Sequence, residues 1–383
     1  MPPIVIDLSS TDDRRDVVHQ AVQTLAEGKL VVFPTETVYG VGAYARHAAG
    51  VESLYTAKGR SHQTPLALAI KSAEEILDYV ANPGHLAERL ARRCWPGPIT
   101  LVVDVPEKND ENLREDLLSQ LPPRVQQLVA PQGTLGLRVP AHQTILDILG
   151  MLAGPIALTS ANISGEPAAV TAQQALDSLG DKVALVLDGG PCRYGQPSSV
   201  VKATGDTCHC IREGVVSQST LDRLSSMVIL IVCTGNTCRS PMAEAIMRQM
   251  VAEKINCSAA DLEQHGVIIA SAGIAAVSAC APSQEAVEVM KERGLDLSKH
   301  ESQPLTDKLA KHADIILTLT NGHLHALKRR WPDCSQRTYT LRSDGGDIND
   351  PIGGTIGLYR ECAEQITNAL KDRVADIDFS QTT

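Results

Sequence analysis

The stretch from Val228 to Pro241 constrains the fold of this chain more than any other. The apolar run VILIV predicts a buried strand, and MAEAIMRQM after the proline predicts a helix. A loop from Cys233 to Ser240 lies between them, and Pro241 suits the first turn of the helix. A strand, a loop and a helix start in this order bring backbone N–H groups and the positive helix end together, which predicts an anion site.

Cys233 opens this loop and Arg239 closes it, with Ser240 directly after. A thiolate at such a site is a strong nucleophile, and a guanidinium can bind two phosphate oxygens at once. A cysteine and an arginine six residues apart are common by chance, and most cysteines are small core residues. The complete strand, loop and helix are much rarer by chance, so the sequence predicts a phosphate-transfer loop.

The rest of the chain is long and apolar enough for two or three domains. It has 383 residues, of which 43% are hydrophobic and only 3% aromatic, so the cores must be built from Val, Ile, Leu and Ala. The net charge of −10 argues against tight non-specific binding of nucleic acid. The composition therefore indicates a globular protein.

The ten cysteines form neither a disulfide pattern nor a zinc pattern. The run Cys208-His209-Cys210 lacks a second pair at a useful distance, so we expect a strand with two packed thiols and no metal site. No signal peptide opens the chain, and no apolar run approaches the ~20 residues of a membrane span. Together with the thiol-dependent loop, this indicates a cytoplasmic protein without a membrane partner.

Four segments of the first half carry polar groups beside predicted strands. PTETVYG (residues 34–40) follows a strand and is either a binding loop or a tight turn with a satisfied Glu36. KGR (58–60) is either an anion-binding loop or a solvated one. Arg138 lies between apolar neighbours, so it needs an anionic ligand or a carboxylate partner. TSANISGEP (159–167) has the hydroxyl and amide groups that would hydrogen-bond a small polar ligand.

In this order, PTETVYG, KGR with PLA, LRVP, TSANISGEP, SSVV and IREG resemble the threonylcarbamoyl-AMP synthase family over about residues 4–216. The resemblance implies a twisted mixed α/β sheet with a large open cavity. It implies that L-threonine, bicarbonate and ATP condense to threonylcarbamoyl-AMP and pyrophosphate, with Mg²⁺ accompanying the ATP. Other proteins would then move the carbamoyl group to tRNA, so tRNA or the tRNA threonylcarbamoyl-transfer complex is a further partner to consider.

The resemblance also implies which residues bind each substrate. For threonine or its carbamate they are Thr35, Ser160 and Asn162. For the nucleotide and its phosphates they are Lys58, Arg60, Arg138, Ser199 and Arg212. The rival interpretation of this half is a non-catalytic RNA-binding or translation module, but the acidic balance and the scarcity of aromatic residues for base stacking favour the enzyme.

From Met227 onward, strands and helices alternate, which predicts a doubly wound parallel sheet with reactive groups at the carboxyl ends of the strands. This half resembles the low-molecular-weight protein phosphatase family. The resemblance implies attack by Cys233 to form a phosphocysteine and Asp350 as general acid, whereas the residues alone do not separate Asp350 from Asp344 or Asp347. It implies no metal and no other cofactor, because Arg239 and the helix end supply the positive charge.

The remaining loop residues are Thr234, Gly235, Asn236, Thr237, Cys238 and Ser240. Asn236 is expected to brace the loop and Ser240 to hydrogen-bond the sulfur. Cys238 either packs in the core or forms a reversible disulfide with Cys233. The CTGNTCRSP run, with Thr237, and the pair Gly353-Gly354 resemble bacterial protein-arginine phosphatases, whereas Ile352 stands where an aromatic residue is often found.

Of three possible functions for the second half, the resemblance favours removal of phosphate from phosphoarginine. A phosphorylated protein could carry phosphoarginine or phosphotyrosine, and a redox or arsenate-reducing thiol protein is the third alternative. We expect two domains, residues 1–226 and 227–383, with residues 217–226 as a short linker. The acidic stretch 104–134 is expected to be a surface insertion with a short helix near Leu113 to Leu118 and no chemistry.

Overall fold

The structure is a computed structural model that describes residues 2–11, 13–105, 116–205 and 207–379. The chain divides into two compact units, Met1–Leu224 and Ser225–Thr383. The segment predicted as a linker is mostly helical, and its Leu221 is buried in the core of the first unit.

The first unit consists of one large sheet with helices on both faces. Its strands are β1 (Ile4–Asp7), β2 (Val31–Phe33), β3 (Gly40–Tyr44), β4 (Ala67–Ala69), β5 (Ile99–Asp104), β6 (Thr134–Arg138), β7 (Ile156–Ser160), β8 (Leu185–Asp188), β9 (Ser199–Thr204) and β10 (Thr207–Arg212). Its helices are α1 (Arg14–Ala26), α2 (Ala48–Lys58), α3 (Ile76–Tyr79), α4 (His85–Cys94), α5 (Pro123–Val129), α6 (Gln143–Met151), α7 (Ala172–Leu179) and α8 (Gln218–Ser225).

The described strands of this sheet have the order β1-β8-β2-β3-β7-β4-β6-β5-β9-β10, with both parallel and antiparallel neighbours. Consecutive side chains of a strand point to opposite faces, and the core follows this rule. Val31 and Phe33 belong to the cluster beneath α1 and α6, whereas Val32 belongs to the larger cluster on the other face. The mixed α/β sheet predicted for this half is confirmed.

The acidic stretch 104–134 differs from its prediction. Residues 106–115 lie outside the described residues, and most of the helix predicted near Leu113 to Leu118 falls there. The later part forms α5, and Leu121, Val125 and Leu128 are buried in the main core. Pro123 occupies the first turn of α5, where its missing N–H costs nothing.

The second unit is a smaller α/β structure. Its strands are β11 (Met227–Cys233), β12 (Val267–Gly273), β13 (Ile315–Thr318) and β14 (Thr338–Thr340). Its helices are α9 (Arg239–Lys254), α10 (Gln284–Glu292), α11 (Asp307–His312), α12 (Asn321–Arg330) and α13 (Ile356–Asp376). The described strands pair in the order β12-β11-β13-β14, and all three pairings are parallel, which confirms the predicted parallel sheet.

Both faces of this sheet are covered. Ile229, Ile231 and Cys233 belong to a cluster with α9, α10 and α13, whereas Leu230 and Val232 belong to a cluster with α11 and α12. The strands of a parallel sheet that is covered on both faces have continuously apolar sequences, and VILIV is such a sequence. Cys233 is the last residue of the central strand β11, and the loop to α9 starts there.

In the part of the chain that the structure describes, no helix has the length and apolar character needed to cross a membrane.

Each of the four described core clusters lies within one unit, so we predict that fragments 1–226 and 227–383 fold alone. Each should show a cooperative thermal transition by circular dichroism. As a control, a cut after residue 152 separates β7 from β3 and β4 in one sheet and should give fragments that do not fold. Aggregation of both fragments 1–226 and 227–383, with a stable intact chain, would contradict the prediction.

Candidate active sites

In the first unit, the loop between β2 and β3 is joined to the end of β6 by a buried ion pair. Arg138 Nη2 donates to Glu36 Oε1 at 2.7 Å and to Thr37 Oγ1 at 2.9 Å. The second oxygen of Glu36 accepts from the Ala141 backbone N–H at 2.9 Å, and Thr37 Oγ1 lies 2.9 Å from Thr35 Oγ1. Of the two partners that the sequence left open for Arg138, the structure contains the carboxylate.

A cavity of about 340 Å³ lies beside this network. Thr35 and Glu36 line it together with Gly97, His142 and Cys192. Burial raises the pKa of the Cys192 thiol to about 11, so that side chain stays protonated and unreactive at neutral pH. The cavity therefore offers hydroxyl, imidazole and backbone groups rather than a nucleophile.

Lys58 connects the KGR motif to the loop that follows β7. Its side chain is 1% exposed, and its ammonium donates to the backbone oxygens of Ser160, at 2.5 Å, and of Asn162. The Asn162 amide N–H groups donate to the carbonyls of Ile163 and Glu166 at 2.9 and 2.7 Å. Asn162 Oδ1 is buried and has no hydrogen-bond partner among the described residues, so it is a free acceptor.

Four cations of this unit lie within electrostatic range of one another. Burial is the main cause that lowers the pKa of Lys58, to about 8, and also the pKa of Arg60 and Arg212. The charge of Arg60 lowers the pKa of Lys58 further, Arg212 acts in the same way on Arg60, and Arg138 on Arg212. Crowded like charges of this kind are stabilised by a polyanionic ligand.

Ser199 is placed differently from the other predicted ligands. Its side chain is fully buried, and its hydroxyl both donates to the Val216 carbonyl and accepts from the Val216 N–H, each at 2.9 Å. The hydroxyl therefore closes the end of the sheet instead of facing a ligand. The preceding Ser198 contacts Arg212, which donates to its carbonyl at 2.8 Å, and Thr100. Both serines belong to the SSVV motif. Their different positions along the strand decide which partners each side chain has.

The Mg²⁺ that the resemblance implies for the first unit has no preformed cluster of ligands among the described residues. Among the described residues, no group of three or more His, Cys, Asp and Glu side chains could hold a metal ion. Glu36 is the carboxylate beside Arg138, and both of its oxygens already accept hydrogen bonds.

In the second unit, the loop after β11 curls around the sulfur of Cys233. Asn236 has φ 55°, in the left-handed region, and this turn directs its backbone N–H to Cys233 Sγ at 3.2 Å. Ser240 Oγ lies 2.9 Å from the same sulfur. Both groups contact the sulfur at the start of α9, where the sequence predicts a nucleophile.

Asn236 is fully buried, and each of its polar groups has a partner. Its backbone oxygen lies 3.0 Å from His300 Nε2, and its side-chain oxygen accepts from the Gln303 backbone N–H at 2.9 Å. Its amide nitrogen donates to Ser240 and Ser271 at 2.9 and 2.8 Å. The bracing role of Asn236 was predicted, but its partners were missed, because they come from distant segments and carry no local signal.

Arg239 is the first residue of α9 and pairs with Asp350 through Nη2. Asp344 pairs instead with Arg342 at 2.6 Å, and Asp347 accepts from the Asn321 backbone N–H at 2.7 Å. Of the three aspartates that the sequence left open, the structure therefore brings Asp350 to the loop.

The two remaining loop side chains have different surroundings. Cys238 is a buried, free thiol whose sulfur lies 3.6 Å from Tyr359 Oη, so it packs in the core. The Thr237 hydroxyl is partly exposed and has only a long contact, 3.7 Å, with Cys238 Sγ. Ile352, two residues after Asp350, is 70% exposed.

Comparison with protein families gives a match for each unit. The family model Sua5/YciO/YrdC, described as telomere recombination, matches residues 23–214. The model for low molecular weight phosphotyrosine protein phosphatase matches residues 228–381.

Individual proteins and structures are similar to one half or the other. A Mycobacterium tuberculosis protein, provisionally named threonylcarbamoyl-AMP synthase, is 37% identical over 211 residues, which are 55% of this chain and 90% of that protein. The structure of Pyrococcus abyssi Sua5 complexed with L-threonine has a TM-score of 0.50 at 24% identity and covers 70% of this chain and 92% of its own. The YwlE arginine phosphatase from Geobacillus stearothermophilus is 34% identical with a TM-score of 0.34, over 39% of this chain and 91% of its own.

We predict that ATP affinity of the first unit falls as the pH rises through about 8, because the Lys58 ammonium loses its proton there. Lys58→Arg keeps its charge and should bind ATP with little change between pH 7 and 9. Calorimetric titration at several pH values measures both proteins. An equal pH dependence in wild type and Lys58→Arg would contradict the prediction.

Proposed function

We propose, since the chain belongs to the Sua5/YciO/YrdC family and also carries a low-molecular-weight phosphatase domain, that it makes threonylcarbamoyl-AMP and removes phosphate from protein phosphoarginine. Both halves are then enzymes, a nucleotidyltransferase and a cysteine-dependent phosphatase. We expect the reactions to take place in the cytoplasm.

The single observation that supports the synthase proposal most is the group of four cations beside an unpartnered acceptor. Lys58, Arg60, Arg138 and Arg212 supply the charge that a triphosphate needs. Asn162 Oδ1 is a buried acceptor, suited to an N–H or O–H donor of threonine. Lys58 holds the carbonyls of the same loop, so it places the two ligand sites next to each other.

The proposed chemistry has two steps. The amine of L-threonine combines with bicarbonate to a carbamate, with loss of water. A carbamate oxygen then attacks the α-phosphorus of ATP, and the bond from that phosphorus to the bridging oxygen breaks to release pyrophosphate. The cations stabilise the negative charge that develops on the leaving pyrophosphate. Thr35 and the backbone of Ser160 remain proposed contacts of threonine, and Ser199 is proposed to act only by closing the sheet.

For the synthase, we predict that the double variant Lys58→Ala/Arg60→Ala lowers threonylcarbamoyl-AMP formation by about a hundredfold or more, because two charge-assisted contacts are lost. Lys29→Ala is the control, since Lys29 is an exposed lysine paired with Glu27. Pyrophosphate release that requires threonine, bicarbonate and ATP together is the readout. Full activity of the double variant would contradict the proposal, and no release by wild type would favour a non-catalytic RNA-binding module.

For the second half, the proposed reaction passes through a phosphocysteine. The Cys233 sulfur attacks phosphorus and the P–N bond breaks, while Asp350 donates a proton to the leaving guanidine nitrogen. The phosphate would take the place of Asp350 on Arg239, which frees the carboxyl group for this transfer. Water then attacks phosphorus, Asp350 accepts its proton, and the S–P bond breaks to release phosphate.

The choice of phosphoarginine over phosphotyrosine rests on the Thr237 hydroxyl. It has no close partner among the described residues, so it can hydrogen-bond a guanidine N–H, a donor that phosphotyrosine lacks. Exposed Ile352 offers an aliphatic surface rather than an aromatic ring for stacking. Phosphotyrosine is the second candidate, because the matched family model carries that substrate in its name.

We predict that Thr237→Val lowers kcat/KM for phosphoarginine peptides by about 5- to 150-fold, the effect of about 1–3 kcal/mol from one unpaired polar group. Phosphotyrosine peptides should be affected less. Thr237→Ser, which keeps the hydroxyl, should keep the preference, whereas Thr237→Ile should lose it, and Cys233→Ser should lose activity on both. If wild type already prefers phosphotyrosine, Thr237 is not the selector and the second candidate stands.

A further inference from the structure

A buried histidine contacts the residue directly after the nucleophile. His323 lies in the first turn of α12, where its backbone N–H donates to the capping hydroxyl of Thr320 at 3.2 Å. Its side chain is only 9% exposed, and its Nε2 is 2.9 Å from Thr234 Oγ1. Thr234 is exposed on the loop that follows Cys233. The contact therefore joins the first turn of α12 to an exposed residue of this loop.

The ring of His323 is neutral at neutral pH. Burial is the main cause that lowers its pKa, and the charge of Arg239 lowers the pKa further. The charges of Asp350 and Asp347 act in the opposite direction and are smaller. A neutral imidazole carries a single N–H, on one of its two nitrogens.

The surroundings decide which nitrogen carries that proton. His323 Nδ1 is buried and has no hydrogen-bond partner among the residues that the structure describes. A proton on Nδ1 would leave a buried donor without an acceptor, and buried orphan N–H groups are rarer than unsatisfied acceptors. The proton therefore belongs on Nε2, where it donates to Thr234 Oγ1.

This direction determines what the Thr234 hydroxyl can do. Because its oxygen accepts from His323, its own O–H stays available as a donor. The Thr234 backbone carbonyl already accepts from the Ala275 N–H at 3.0 Å, so the side-chain donor at this position is the hydroxyl, beside the backbone N–H groups of the loop. A phosphoryl group offers only acceptors, and it would bind at this loop beside Cys233.

We propose that His323 is a positioning residue that makes Thr234 a hydrogen-bond donor to the bound phosphoryl group. The inference rests on the proposed phosphatase function and adds a side-chain donor to the loop amides and Arg239. The same contact would be made to inorganic phosphate, which serves as the probe.

The test is a double-mutant cycle on phosphate binding by the intact chain at pH 7. Thr234→Val should raise the inhibition constant of inorganic phosphate at least about tenfold, the effect of one charge-assisted hydrogen bond. His323→Leu should raise it similarly, and the double variant should bind phosphate no more weakly than Thr234→Val alone. His323→Gln keeps an N–H near the position of Nε2 and should recover most of the affinity.

His325→Leu is the matched control, because His325 is an exposed histidine of the same helix, and it should bind phosphate like wild type. The thermal midpoint of each variant separates a loss of fold from a loss of contact. An unchanged constant in Thr234→Val, or a further rise when His323→Leu is added to it, would overturn the inference. If wild-type protein does not bind inorganic phosphate at this loop, the proposed phosphatase function fails as well.

Discussion

Buried positive charge is the constraint on which both sites depend. Lys58 and Arg239 are almost fully buried, and a buried cation is costly unless it has partners. Lys58 relies on two backbone carbonyls, which carry no net charge, and the charge of Arg60 acts on it as well. Arg239 relies on Asp350, whose side chain is much more exposed. Among the described residues, neither Lys58 nor Arg239 is paired with a buried carboxylate. An anionic substrate would therefore stabilise either cation.

The pair of Arg239 and Asp350 also links binding to chemistry. While the pair is intact, an oxygen of the Asp350 carboxylate occupies the Nη2 group of Arg239. A phosphate dianion on Arg239 competes with Asp350 for the same guanidinium. Once displaced in the proposed reaction, the carboxyl group is available to the leaving group as its general acid.

The sequence predicted much of the fold, because patterns within short segments carry it. VILIV predicted the central strand of the second unit, and the loop after it predicted the positions of Cys233 and Arg239 at the carboxyl end of that strand. What could not be predicted are contacts between distant segments, such as Gln303 and His300 on Asn236, or Glu36 on Arg138. The partner of Ser199 could not be predicted for a related reason, since a motif does not encode the strand register that brings its hydroxyl to Val216.

The alternation of side chains along β11 has a consequence for how this protein can change in evolution. Cys233 shares a face with Ile229 and Ile231, while Leu230 and Val232 fill the opposite core. Loss or gain of a single codon in this strand between Ile229 and Cys233 would turn the side chains beyond the change to the opposite face from those before it, so Cys233 would no longer share a face with Ile229. Substitution by similar apolar residues leaves the alternation unchanged. Lineages that retain the phosphatase should therefore vary the composition of this strand but not its length.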